Sequence, residues 1–166
     1  MLIDTEQANW GCGARRLSAS ERTLPMEGIG ARRSAPKRIL IVEDNELNVK
    51  LLKDILELHG YTVQVAGHGV AAIDQVRRDQ PDLILLDIRL PDIPGTEVAQ
   101  QLKGDPATRN IPIIAVTAFA MPGDRDKILE SGCNDYISKP INIANFLAMV
   151  ENYTDGTTSD TPLACG

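Results

Sequence analysis

Five residues with usable chemistry stand where short strand-like runs stop. Glu43 and Asp44 follow Arg38-Ile39-Leu40-Ile41-Val42, and Asp87 closes Leu83-Ile84-Leu85-Leu86. Thr117 ends the run that starts at Ile111, and Lys139 follows Asp135-Tyr136-Ile137-Ser138. Two carboxylates ~4 Å apart repel by about 4 kcal/mol at an effective dielectric of 20, so three acids gathered at one place need a compensating cation. Lys139 supplies one charge and a divalent ion two. Oxygen-only ligands favour Mg²⁺ over zinc, with Mn²⁺ an acceptable substitute. A carboxylate beside such an ion is a nucleophile toward phosphorus, and the ion, the ammonium of Lys139 and the hydroxyl of Thr117 can all hold oxygens of a transferring phosphoryl group. A lone Thr or Lys at a strand end is most often a structural cap; the ordered set of acid pair, acid, hydroxyl and lysine is what chance seldom supplies.

That convergence requires the runs to be parallel strands ending at one edge of a sheet. Leu83 to Leu86 is a solid aliphatic run bounded by Pro81-Asp82 and by the turn residues Pro91-Asp92-Ile93-Pro94-Gly95, the habit of a strand buried on both faces. Around it the chain alternates. Asp44 or Asn45 is suited to cap a helix carrying Leu47, Leu51, Leu52, Ile55, Leu56 and Leu58, which Gly60 stops. Residues 61–66 alternate as a strand, Gly67-His68-Gly69 turns, and Ala72, Ile73 and Val76 mark a helix face. Helices are expected over 96–103, over 122–131 with Pro122 in its first turn, and over 143–153 with Ile143, Phe146, Leu147 and Val150 on one face. Strands are expected over 111–118 and 135–138. The fold predicted is α/β, a doubly wound five-stranded parallel sheet with five helices, and ligands of such sheets sit beyond the carboxyl ends of the strands.

The rest of the composition narrows the class. The chain has 166 residues, a net charge of -6 and 43% hydrophobic residues. One core is the expectation, and the acidic balance argues against nucleic-acid and membrane-surface binding. Cys12, Cys133 and Cys165 show neither disulfide nor metal spacing, and no apolar run spans a bilayer, so the chain reads as cytoplasmic. Residues 1–36, rich in Gly and Arg, read as a disordered extension within which Met26 offers an alternative start, residues 37–153 as the folded domain, and 154–166 as a disordered tail. His59, His68 and Cys133 read as non-catalytic.

Ile41-Val42-Glu43-Asp44-Asn45, Leu86-Asp87-Ile88-Arg89-Leu90-Pro91-Asp92, Val116-Thr117-Ala118 and Lys139-Pro140 together resemble the receiver domain of two-component response regulators. More narrowly, Glu43 to Asn48, His59-Gly60-Tyr61, Ala115 to Met121 and Tyr136 to Ile141 are similar to its single-domain cell-division regulators. The resemblance implies a flavodoxin-like sheet of order 2-1-3-4-5. It implies that Asp87 accepts a phosphoryl group from a phosphohistidine on a sensor histidine kinase or histidine phosphotransferase. Glu43, Asp44, Asp87 and the backbone carbonyl of Arg89 would bind Mg²⁺, and Lys139 would pair with phosphoryl oxygens. Thr117, Ala118 and Tyr136 would bind the group and switch, and Lys139-Pro140 would be cis. The output implied is protein contact through the fourth helix, fifth strand and fifth helix, near Ile141, Phe146 and Met149.

Two other functions compete. A haloacid-dehalogenase-like phosphatase also uses an aspartyl nucleophile, Mg²⁺, a hydroxyl and a lysine, but it wants Asp-x-Asp, which Asp87-Ile88-Arg89 lacks. A receiver acting as a phosphorylation-independent scaffold is argued against by the complete acid, Thr and Lys set. Arg89, two residues after the acceptor, is placed to influence water access.

Overall fold

A computed structural model of the chain describes residues 35–118 and 123–155. Ten elements alternate along it: β1 (Arg38–Val42), α1 (Glu46–Leu58), β2 (Thr62–Ala66), α2 (Gly69–Asp79), β3 (Leu83–Asp87), α3 (Gly95–Gly104), β4 (Ile113–Thr117), α4 (Asp124–Glu130), β5 (Asp135–Ser138) and α5 (Ile143–Thr154). The strands form one sheet in the order β2-β1-β3-β4-β5, every neighbouring pair parallel. This is the doubly wound sheet predicted.

Successive strand residues point to opposite faces, so each inner strand feeds two cores. Leu40, Val42, Ile84, Leu86, Ile113 and Ala115 pack under α2, α3 and α4 with Ala72, Val98 and Ile128. Ile39, Ile41, Leu83, Leu85, Ile114 and Val116 pack under α1 and α5 with Leu52, Leu56, Phe146 and Val150. Every residue of β3 and β4 is buried, which is why both read as unbroken apolar runs.

Register aligns the carboxyl ends. Val42 pairs with Leu86, Asp87 with Val116, and Thr117 with Ser138. Glu43, Asp87, Thr117 and Lys139 therefore leave the sheet at neighbouring positions on one edge.

Several boundaries and faces differ from expectation. β4 starts at Ile113, not at 111, because the Ile111 amide closes a turn on Thr108 O at 3.0 Å. α5 continues through Thr154, whose buried hydroxyl donates to Val150 O at 2.9 Å and meets Tyr61 Oη at 3.3 Å. Within α1 the aliphatic residues do not share one face: Leu52 and Leu56 are buried, whereas Leu47 and Leu58 are 79% and 84% exposed. Ile143 is likewise exposed at the start of α5, and Phe146, expected near a readout surface, lies wholly inside the core. α4 is described from Asp124 to Glu130, with Ser131 as its cap. The expectations for Pro122, for residues 1–34 and for 156–166 lie outside the described residues, as do Cys12 and Cys165. Among the described residues no helix is long and apolar enough to cross a membrane.

Candidate functional site

The acid end of β1 is fixed by local bonds. Glu43 N–H donates to Ala66 O at 3.1 Å, holding the residue level with β2 although β1 has ended. The following turn is set by Asn45, whose side-chain oxygen accepts from Leu47 N at 3.0 Å and Asn48 N at 3.3 Å and so caps α1. Asn45, not Asp44, is the cap. Asp44 is left exposed at the mouth of the site, and the Glu43 carboxylate turns inward, where it is 3% exposed. There its Oε1 accepts from Asn48 Nδ2 at 3.2 Å and from Asn45 N at 3.3 Å.

Asp87 ends β3 and is held by two donors. Arg89 N–H donates to Oδ1 at 2.7 Å, and Lys139 Nζ donates to Oδ2 at 2.6 Å. The same ammonium donates to Glu43 Oε2 at 2.8 Å. Lys139 reaches this point because its amide donates to Thr117 O at 2.7 Å, carrying the β4–β5 pairing one residue beyond Ser138. The Lys139-Pro140 bond is cis, as expected.

Electrostatics follow from this packing. Burial raises the Glu43 carboxyl above its ordinary value; the hydrogen bonds from Lys139 and Asn48 oppose the rise, and the neighbouring Asp87 adds to it. For Lys139, burial pulls the ammonium down, yet its bonds to Asp87 and Glu43 outweigh that and hold it above the ordinary lysine value. Carboxylate oxygens of Glu43, Asp44 and Asp87 all lie within 4.8 Å of one another. Three carboxylates against one ammonium leave two negative charges uncompensated, and at this spacing each acid pair repels by about 3 to 4 kcal/mol. An oxygen-only donor set carrying that surplus fits a hard divalent ion.

The remaining predicted residues are placed around this group. Thr117 is buried at the end of β4 and Ala118 is exposed just beyond it. Tyr136, opposite Ala115, is half-buried against the α2-α3-α4 core, with the Arg125 guanidinium 5.9 Å from its ring centroid. Tyr136 and Thr117 share a face of the sheet. His59 and His68 are the cap residues of α1 and α2 and stand outside the acid cluster, and Cys133 is a free buried thiol with Ser131 Oγ at 3.6 Å.

Two contributors had no assigned role in the sequence reading. Asn48 fixes the Glu43 carboxylate; its only signal was the Glu43-to-Asn48 spacing, five residues that bring it back over the strand end by one turn of helix. Gly95 opens α3 against the backbone of Asp87: a Cβ there would fall on the Asp87 carbonyl oxygen and within 2.9 Å of Ile88 Cα. A Pro-Gly pair at a helix start was the available hint.

Comparison with known proteins settles the family. The profile of the response regulator receiver domain matches residues 39–151. The chain belongs to the response regulator receiver family. The polar-differentiation response regulator DivK of Brucella anthropi is 50% identical over 118 residues, covering 71% of this chain and 96% of that protein. DivK of Brucella ovis is 50% identical over 117 residues, 70% of this chain and 95% of the relative. Among solved structures, the receiver domain of a sensor histidine kinase from Pseudomonas aeruginosa, with a magnesium ion coordinated in its active-site cleft, superposes with a TM-score of 0.68 at 35% identity. The match covers 73% of this chain and 99% of the other. The receiver domain of a signal transduction histidine kinase from Syntrophus aciditrophicus gives 0.69 at 34% identity over 78% and 99% of the two chains.

Proposed function

We propose that this receiver takes a phosphoryl group on Asp87 from a phosphohistidine of a sensor histidine kinase or histidine phosphotransferase, and signals through phosphorylation-dependent protein contact. The observation that carries this is Lys139: one ammonium bonded to both Glu43 and Asp87, with two negative charges left over for a divalent ion. Glu43, Asp44, Asp87 and the Arg89 carbonyl would hold Mg²⁺, for which Mn²⁺ can substitute. When bound, the ion neutralises charge on the acceptor and on the transferring group.

In the transfer, a lone pair of an Asp87 carboxylate oxygen attacks phosphorus. The O–P bond forms as the P–N bond breaks, and the bonding pair returns to the imidazole, which leaves neutral with its proton on the other nitrogen. The Arg89 amide keeps the carboxylate oriented throughout. Lys139, already within reach of Asp87, moves one of its donors to a phosphoryl oxygen; Thr117 and the Ala118 amide supply the others. Drawing Thr117 toward the new dianion vacates space on the face it shares with Tyr136, so the tyrosine turns inward. Shifting such an equilibrium from mostly inactive to mostly active takes ~3 to 5 kcal/mol, the worth of a few charge-assisted hydrogen bonds. Tyr136, α4 and α5 then carry the change to the downstream partner through the α4-β5-α5 face. The likeness to DivK supports an output exerted on proteins of the same signalling pathway.

The test is labelling with a small phosphodonor, read by intact mass. Wild-type protein should gain one phosphoryl group in Mg²⁺, lose the gain in chelator, and show none as Asp87→Asn. Label retained by Asp87→Asn would remove Asp87 from the role, and partner binding indifferent to Asp87→Asn would favour a scaffold.

A further inference from the structure

The first amides of α2 are capped from another part of the chain. His68 occupies the N-cap position with extended backbone and makes no side-chain cap. The N–H groups of Gly69 and Val70 donate instead to Asp92 Oδ1 and Oδ2, each at 2.9 Å. One carboxylate thus closes two of the unpaired donors that every helix start presents, from the β3–α3 loop. The Val70 amide, then that of Gly69, draws the Asp92 carboxyl from 3.8 down to about 2, so it stays charged at all working pH values.

The neighbouring residue reinforces the join. A Cβ on Gly69 would come within 2.6 Å of Ile93 Cγ1 and 2.7 Å of Val98 Cγ2, so Ile93 lies directly on the bare Cα of α2's first residue. At its far end the loop is fixed again, where Gly95 N–H donates to Ile88 O at 3.0 Å. Between these two anchors lies Arg89, whose N–H makes the 2.7 Å bond to Asp87. The loop touches the acceptor through that peptide and α2 through Asp92, three residues later.

We propose that Asp92 is a positioning residue for phosphoryl acceptance: by clipping the β3–α3 loop to the N-terminus of α2, it holds the Arg89 peptide with its N–H on Asp87 and its carbonyl available to the ion. This deepens the function proposed above and rests on it for the meaning of the Arg89 carbonyl. The clip makes the acceptor geometry depend on the place of α2, an element that supplies none of the site's own groups.

The experiment compares wild type, Asp92→Ala, Asp92→Asn and Asn142→Ala. Asn142 caps α5 through Asn145 N–H at 3.2 Å and controls for loss of a cap at a helix start that is joined to neither the β3–α3 loop nor α2. The first readout is the Arg89 amide proton resonance in metal-free protein, which a bond to a carboxylate moves far downfield. The second is Mg²⁺ affinity from titration of the same spectrum. Asp92→Ala should move the Arg89 resonance upfield and weaken Mg²⁺ binding about tenfold, the low end for outer-sphere partners of a metal ligand. Asp92→Asn, with one oxygen acceptor left, should fall between, and it carries the comparison if the alanine variant fails to fold. Asn142→Ala should change neither readout. Wild-type values in Asp92→Ala, or equal shifts in Asn142→Ala, overturn the proposal. If wild-type protein takes up no label, the acceptor reading fails by itself, and the metal-free Arg89 resonance still decides for or against the clip.

Discussion

Gly95→Ala tests whether the backbone of Asp87, the proposed acceptor, is held by close approach of α3. A Cβ at this position would fall on the Asp87 carbonyl oxygen, lie 2.9 Å from Ile88 Cα and 3.0 Å from Asp87 C, all of them backbone atoms with no rotamer to yield. Restoring ordinary contact with that oxygen requires α3 and the Asp87-Ile88 peptide to part by about an ångström, in a core packed as densely as a crystal. Overpacking of this kind costs ~1 to 3 kcal/mol, and a neighbour that is backbone on both sides places it at the upper end. Alanine's better helix propensity returns at most ~1 kcal/mol, less in the first turn than in the interior. The net expectation is a loss of about 2 kcal/mol, a fall in Tm on the order of 8 °C for a domain of this size. Urea unfolding measures it, with Gly104→Ala as the paired control. Gly104 sits in the last turn of the same helix with nothing within 4 Å of the added carbon, so there the identical change should stabilise by up to ~1 kcal/mol. Because the strain lands on the peptide that follows Asp87, Gly95→Ala should also label more slowly with a phosphodonor at temperatures where it is fully folded. A Gly95→Ala protein as stable as Gly104→Ala would refute the reasoning outright.

Three further outcomes follow from the site and core. An ion held by the acid cluster adds about 1.4 kcal/mol at ten times its Kd, so Mg²⁺ should raise Tm in a thermal scan, and Asp44→Ala, which alters the exposed member of the cluster, should abolish the rise. Glu43 has a folded-state pKa above its ordinary 4.5, so the stability it contributes is fully present below 4.5 and is lost as pH rises through the folded value. In chelator, wild type should therefore lose more stability than Glu43→Gln as pH rises above 4.5, and parallel urea midpoints across that rise would contradict the burial argument. Phe146→Ala should cost ~3 to 5 kcal/mol in chemical denaturation and Leu47→Ala within about 0.5, since one is wholly buried and the other 79% exposed.

What could be read from the chain was whatever depends on a residue's own place along a strand. A doubly covered strand must be apolar at every position, so β3 and β4 announce themselves, and a polar residue that ends such a run marks the sheet edge without knowledge of its neighbours. Glu43, Asp87 and Thr117 were legible for that reason, and Lys139, which follows a strand with only Ile137 buried, was legible as the next member of the ordered set; parallel register then does the gathering. α1 was less legible because leucine spacing does not say which side of a helix the sheet covers: Leu47 and Leu51 repeat at the same interval as Leu52 and Leu56 yet face outward. Least legible were residues whose work is a contact with a distant backbone. Asp92 lies in a turn-rich stretch where an aspartate needs no special reason, and only the placement of Gly69 and Val70, more than twenty residues earlier, makes it a cap. Lys103 is similar: its ammonium serves Arg109 O, Ile111 O and Asn134 Oδ1, neutral acceptors that no charge pattern could have flagged. The chemical groups of the site are thus written at strand ends, while the loops that set their angles are held by polar side chains and bare glycines reaching across elements. A substitution at Asp92 or Gly95 changes no reactive atom, and for that reason it separates positioning from chemistry more cleanly than any change to Asp87 can.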